Sequence, residues 1–212
     1  MSGLIFIIVL SYLVGSFPTS IVVGKVLRGI DIREYGSGNA GGTNVFRVLG
    51  WKPGVFVMAF DIFKGFAATF WIAKIVGSPQ PVGPELVQII AGCAAIVGHI
   101  WTVFAKFRGG KGVGTAAGML LALYPVALSV CVAVFAIVLF VTHIVSVSSM
   151  SAALTLPVVL TIFRYVMHRD LATSLYIFSF FAAGLIVFTH RANIKRLLKG
   201  EENRFGSKKK TV

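Results

Sequence analysis

The chain has 212 residues, of which 57% are hydrophobic and 13% charged, and its mean hydropathy is +0.89. That composition excludes an ordinary soluble domain and predicts an integral membrane protein. The formal net charge of +13 does not indicate nucleic-acid binding, because no soluble domain remains to carry a groove-reading element.

Residues 3–24 form an apolar run, near the ~20 residues that a ~30 Å hydrocarbon core requires. The run lacks a basic leader and a small-residue cleavage site, and reads as a retained first span. Residues 25–52 read as a polar re-entry, and 53–76 as the second span, with Pro53 near its first turn, where proline is tolerated. The uncharged Gly/Pro-rich stretch 77–84 predicts a short outer loop, and 85–104 the third span. Cys93 and Cys131 lie in apolar runs and read as buried free thiols.

Residues 116–189 contain three further runs, 116–141, 144–163 and 170–189. Three crossings would put the last polar stretch on the face opposite the first two. A proline break at Tyr124-Pro125 divides the first run and gives seven spans; leaving one run non-spanning gives five. The expected fold is all-α, a polytopic integral membrane helical bundle of seven transmembrane helices, with five as the alternative. It would form a single domain over 1–212, with a basic cytoplasmic tail from about 191. The seven-span arrangement puts Arg164, His168 and Arg169 outside, against the tendency of cations to stay in the cytoplasm.

Of the 20 Lys and Arg, five lie in 25–52, three in 106–111 and eight from Arg191 onward. They flank three polar stretches, which are therefore expected on the cytoplasmic side, where the cations also meet anionic lipid. A membrane segment tolerates such polar residues where they meet each other, water or a substrate.

The first stretch runs from Tyr35 to Arg47. Gly36, Gly38, Gly41 and Gly42 let a backbone approach a ligand, and successive amides in such a loop form an anion-binding concavity. Ser37, Asn39, Thr43 and Asn44 add neutral hydrogen bonds, and Arg47 can fork onto a phosphate. The embedded G-x-G-x-x-G is not a dinucleotide fingerprint, which needs a preceding strand in a βαβ unit. A plain glycine-rich connector is the simpler alternative.

The second stretch, Gly98–Thr115, holds Lys106, Gly109, Gly110, Lys111 and Gly112. It is not a Walker A loop, since Gly112 follows Lys111 and Ala105 stands where that motif has glycine. Backbone amides with Lys106 and Lys111 make a second phosphate cradle. An anchor for the third span would explain the cations but not the glycines.

In the third stretch His190 and Asn193 share a helix face, while Arg191, Lys195, Arg196 and Lys199 suit a span end. His190 reads as an acid, base or phosphate ligand, or as a solvated helix end; Glu201 neutralises a cation or is solvated. Asp61 and Lys64 stand three apart inside the second span, a functional pair or a structural one. No Cys/His/Asp/Glu cluster has metal-ligand spacing, and no His is followed five positions later by Asp, the signature of a common acyltransferase class.

The three stretches resemble the motifs S-G-N-x-G-x-T-N-x-x-R, G-H-x-x-x-V-F-x-x-F-x-G-G-K-G-V-x-T and H-R-x-N-I-x-R-L-x-x-G-x-E. In order, together with Asp61-Ile-Phe-Lys64-Gly65, they look like the bacterial membrane family of acyl-phosphate:glycerol-3-phosphate acyltransferases. Thr102 departs from the family's usual Pro, and Gly114 from its usual Ala.

The resemblance implies transfer of a fatty acyl group from acyl phosphate to the 1-hydroxyl of glycerol 3-phosphate. The products would be lysophosphatidic acid and phosphate, in the first step of phospholipid synthesis. It implies no cofactor and no metal. Ser37, Arg47, Lys106, His190 and Asn193 would line the glycerol 3-phosphate site. The amides of Gly41, Gly42, Thr43 and Asn44 would hold the acyl phosphate, and the Gly109–Gly112 loop would shape the second phosphate pocket. Ser37, His190, Asn193 and Arg47 are the expected catalytic group; Gly36, Gly38, Asn39, Lys111 and Glu201 join the substrate-binding set. The expected location is the bacterial inner membrane, with the active site and C-terminus inside and the N-terminus outside. The partners are the two substrates, membrane lipid and, as a candidate, the enzyme that forms acyl phosphate. A transporter of phosphate or a phosphorylated metabolite is the competing class.

Overall fold

The computed structural model describes residues 2–77 and 82–205. Among these every regular element is helical. Five segments are long and apolar enough to cross a membrane: Ser2–Arg28, Trp51–Lys74, Pro84–Ala105, Pro125–Thr142 and Val145–Val166. A sixth is the pair Thr173–Thr189 and Arg191–Leu198, bent by 57°, and Val113–Leu123 is apolar but shorter. The chain packs as two compact units, up to Pro125 and from Val126. Half of the expected outer loop, residues 78–81, lies outside the described residues, as do 206–212 of the basic tail.

In the first unit the expected first span is two helices, α1 (Ser2–Ser16) and α2 (Thr19–Arg28). Pro18 interrupts them, since it cannot donate to the helical ladder. A break in an apolar environment frees carbonyls that need donors. Here Thr102 Oγ1 donates to the Ser16 carbonyl and Lys64 Nζ to the Phe17 carbonyl at 3.2 Å. Helices α3 (Gly42–Leu49), α4 (Trp51–Phe70), α5 (Pro84–Ile100) and α6 (Val113–Leu123) complete the unit.

Glycine sets the helix spacing, as expected where lipid removes the hydrophobic drive between helices. A Cβ on Gly15 would run into the Ala95 backbone, bringing α1 onto α5. On Gly65 it would meet the Thr115 carbonyl, and on Gly118 the Ile62 carbonyl, bringing α4 onto α6. One apolar cluster joins Ile7, Ala68, Val87, Ala91 and Ala95. A second joins Ile21, Ile32, Ala40, Val45, Val57 and Ala105 beneath the two glycine-rich stretches.

In the second unit α7 (Pro125–Thr142) begins just after Tyr124, at the expected proline break. Helix α8 (Val145–Thr161) contains Pro157 and widens into one π turn over Ile162–Val166. A proline one turn upstream removes a ladder donor and accounts for such loosening. Helices α9 (Thr173–Thr189) and α10 (Arg191–Leu198) meet at His190.

Candidate functional site

Asn44 builds the first loop from inside. Its side chain is 1% exposed; Nδ2 donates to the carbonyls of Ile32 at 2.9 Å and Tyr35 at 3.0 Å. Its Oδ1 accepts from the Ser37 amide at 2.8 Å. The side chain is thus turned toward the loop's own backbone. Gly36 and Gly38 take the left-handed φ values of 62° and 72° that this turn requires, and any side chain on Gly36 would strike Asn44. Ser37 and Asn39 are left half-buried at the loop's face. Gly41 precedes α3, whose first amides, Gly42 and Thr43, have no intrahelical acceptor and carry the helix's partial positive charge. Gly42 fits because α3 lies tight against Met58 of α4. Arg47, half-buried, stands four residues after Thr43 on the same helix face.

The second loop folds back on the end of α5. The Gly109 amide donates to the Ile100 carbonyl and the Gly110 amide to the His99 carbonyl, both at 3.0 Å. A side chain on Gly109 would run into the His99 carbonyl, and on Gly110 into the His99 ring. Gly112 (φ 85°) leads into α6. Lys106 is exposed and Lys111 half-buried. Lys106 and Phe107 are consecutive non-glycine residues with φ of 56° and 59°, a conformation that costs roughly 1–2 kcal/mol each. Such strain persists only where surrounding contacts over-determine it.

The two loops are packed together. A Cβ on Gly110 would approach the Ala40 carbonyl at 3.0 Å. Arg33 Nη1 donates to the carbonyls of Ala105 at 3.0 Å and Arg108 at 3.2 Å, while its Nε and Nη2 fork onto Asp31, the closest contact 2.6 Å. The hydrogen bond from Arg33 holds the Asp31 carboxyl below the usual carboxylate range, against an opposing desolvation.

Beneath them Asp61, Lys64 and His99 form a cluster with 5%, 2% and 7% exposure. Asp61 Oδ1 meets Lys64 Nζ at 2.9 Å and His99 Nδ1 at 3.5 Å. These groups line a small cleft with Ser16, Thr19, Ser20, Gly109 and Gly110. Asp61 and Lys64 were visible in the sequence as an intramembrane pair. The link to His99 has no local sequence signal because it joins elements far apart in the chain. Thr102, the departure from Pro, has φ −68°, which a proline would also accept, and its hydroxyl serves the α1 break. An alanine at Gly114 would meet the Asp61 side chain at 3.2 Å, so glycine eases the contact of α6 with α4.

The third stretch is organised within the second unit. His190 is 2% exposed and its Nδ1 lies 2.7 Å from the Ile186 carbonyl. A carbonyl only accepts, so Nδ1 carries the hydrogen. Asn193 Nδ2 donates to Glu202 Oε1 at 2.6 Å. Ser146 Oγ donates to the same oxygen at 3.0 Å, and Arg196 Nε to Oε2 at 2.8 Å. Glu201, the expected acidic residue, is exposed. Counted from Gly200, the motif's x-E places its carboxylate at Glu202, and the fold buries that one because Gly200 (φ 71°) turns the chain back after α10. Phe205 completes the return, its amide donating to the His143 carbonyl at 2.6 Å.

The glycerol-3-phosphate acyltransferase family model matches residues 5–200. The glycerol-3-phosphate acyltransferase of Chlorobium phaeobacteroides (strain BS1) is 45% identical, with 96% of this chain and 97% of the relative covered. That of Chlorobaculum tepidum is 47% identical, with 95% and 97% covered. Among solved structures, the glycerol 3-phosphate form of PlsY (YgiH), an integral membrane glycerol 3-phosphate acyltransferase, superposes with a TM-score of 0.84 at 34% identity, covering 97% of this chain and 96% of that one. Its lysophosphatidic acid form gives 0.82 at the same identity. These matches set aside the transporter reading.

Proposed function

This chain belongs to the glycerol-3-phosphate acyltransferase family, and we propose that it moves a fatty acyl group from acyl phosphate to the 1-hydroxyl of glycerol 3-phosphate. The observation that carries this reading is the pair of interlocked glycine loops in the first unit, the first ending in the Gly42 and Thr43 amides one turn before Arg47, the second carrying Lys106 and Lys111. That arrangement suits phosphate groups on both substrates.

The 1-hydroxyl oxygen attacks the acyl carbonyl carbon, and the bond from that carbon to the phosphate oxygen breaks. Inorganic phosphate leaves, and a substrate phosphate takes the hydroxyl proton. Acyl phosphate is an activated donor, so the protein's work is positioning and charge neutralisation. Arg47 and Lys106 neutralise phosphate, Ser37 and Asn39 add hydrogen bonds, and the Gly42 and Thr43 amides face the donor's phosphate. Gly109, Gly110, Lys111 and Gly112 shape the second pocket. Asn44 acts as the loop's internal brace. His190 and Asn193 keep the role that the third motif gives them, with Glu202 fixing the Asn193 amide.

The proposed topology has seven spans: the five long segments, short α6, and the bent pair α9–α10. It places the N-terminus outside, and the C-terminus and active site on the cytoplasmic face of the bacterial inner membrane. One domain over the whole chain would receive acyl phosphate from its forming enzyme. The test is phosphate release by purified protein given acyl phosphate, with and without glycerol 3-phosphate. Release that depends on glycerol 3-phosphate, with equimolar lysophosphatidic acid and more than 100-fold loss in Ser37→Ala, supports the reading. Hydrolysis indifferent to glycerol 3-phosphate sinks it.

A further inference from the structure

Arg33 lies in neither the S-G-N motif nor the G-G-K motif, yet it joins the segments that carry them. Its guanidinium uses one edge and one nitrogen for different jobs. Nε and Nη2 fork onto the Asp31 carboxylate, whose Oδ1 also accepts the Arg33 amide at 3.0 Å. Nη1 is thereby aimed at two carbonyls, Ala105 at 3.0 Å and Arg108 at 3.2 Å. Those carbonyls bracket Lys106 and Phe107, the two consecutive non-glycine residues in left-handed backbone. Neither residue type favours that conformation, and nothing in their side chains compensates locally, as Asn or Asp would. The turn also has backbone bonds from the Phe107 amide to the Thr102 carbonyl at 2.8 Å and from the Arg108 amide to the Ala105 carbonyl at 3.2 Å. Both bonds are local, so they shape the turn without tying it to the first loop. Arg33 supplies that tie, across 72 and 75 residues of sequence.

We propose that Arg33, braced by Asp31, is a positioning residue that holds the Lys106–Phe107 turn against the first loop and so sets where the Lys106 ammonium meets a substrate phosphate. The proposal rests on the phosphate-binding role given to Lys106 above. Lysine in place of arginine keeps the charge but not the fixed fork that reaches Asp31 and both carbonyls together.

The test combines kinetics with proteolysis on purified full-length protein. Arg33→Lys and Asp31→Asn are each made alone and with Lys106→Ala. The expected result is a roughly tenfold rise in KM for glycerol 3-phosphate with kcat within about twofold. Added to Lys106→Ala, either change costs little more, because the side chain it positions is gone. Independent, multiplying losses overturn the proposal, as does an unchanged KM in variants that melt normally. The second readout needs no turnover: trypsin cuts after Lys106 and Arg108, and cleavage there should rise about tenfold in Arg33→Gln. Equal cleavage in wild type and Arg33→Gln shows that the turn holds itself and refutes the clamp. Faster cleavage in a protein whose wild type shows no acyl transfer preserves the clamp and removes instead the function assigned to Lys106.

Discussion

Asp61 and Glu202 are both carboxylates withdrawn from water, and each meets a cation within hydrogen-bond range, Lys64 at 2.9 Å and Arg196 at 2.8 Å. Their settings differ. Asp61 sits in the middle of a span, its cation is 2% exposed, and its neighbours are the His99 ring and the α1 break. Glu202 sits on a short non-helical return, and its cation's side chain is 29% exposed. Removing a member of the first group strands a charge where neither water nor another counter-ion can replace it. Removing the second carboxylate costs hydrogen bonds at a boundary, where solvent takes up part of the loss. The first device holds the first unit together; the second sets the direction of Asn193.

The largest expected effect follows from the first setting. Asp61→Ala should lower stability by about 3–5 kcal/mol, the usual cost of breaking a buried pair from one side, read as a large drop in melting temperature in detergent. A drop no larger than that of Glu202→Gln would erase the distinction between the two carboxylates. Glu202→Gln itself should cost about 1–3 kcal/mol, as expected when buried polar partners lose a charged acceptor. Its activity loss should exceed its stability loss, because Asn193 loses the charged acceptor of its amide. Glu201→Gln, one residue away and exposed, should change stability by less than about 0.5 kcal/mol. If the two glutamates exchange these phenotypes, the register assigned to the third motif is wrong.

The smallest effect concerns acid. Asp31 ionises below its ordinary range because Arg33 hydrogen-bonds the charged form. A depressed carboxyl pKa contributes stability that is complete above the unfolded value of about 4 and is lost as pH falls through the folded value. Trypsin-type cleavage of the Lys106 turn, followed with an acid-tolerant protease, should therefore stay flat from neutral pH to about 5 and rise only below about 4. A rise already near pH 6 would mean that some other group controls the turn.

Much of the fold could be read from the chain. The apolar runs located the long apolar helices, and Tyr124-Pro125 marked the break between α6 and α7. The break at Pro18 was missed because the apolar run continues through it; the sign was there in Ser16, Thr19 and Ser20, polar residues buried at 0–3% exposure around a proline. In the candidate site, glycine and cation placement named the loops. It did not separate the residues that shape a loop from those that face its mouth. Asn44 and Thr43 look equivalent as letters, yet Asn44 alone turns inward onto three backbone groups. The assignment to Glu201 was instead a miscount, since the motif's G-x-E ending falls on Gly200 and Glu202.

Composition and patterning by themselves determined a helical membrane protein with glycine-rich, cationic loops, because hydrocarbon admits few other solutions and backbone approach to an anion demands glycine. Three long motifs in order determined the family. Only the tertiary structure decided which polar groups meet: Asp61 with His99, Arg33 with Ala105 and Arg108, Glu202 with Ser146 and Asn193. These pairings depend on where a broken helix, a left-handed turn and a chain reversal bring distant residues, and no local period in the sequence encodes that distance.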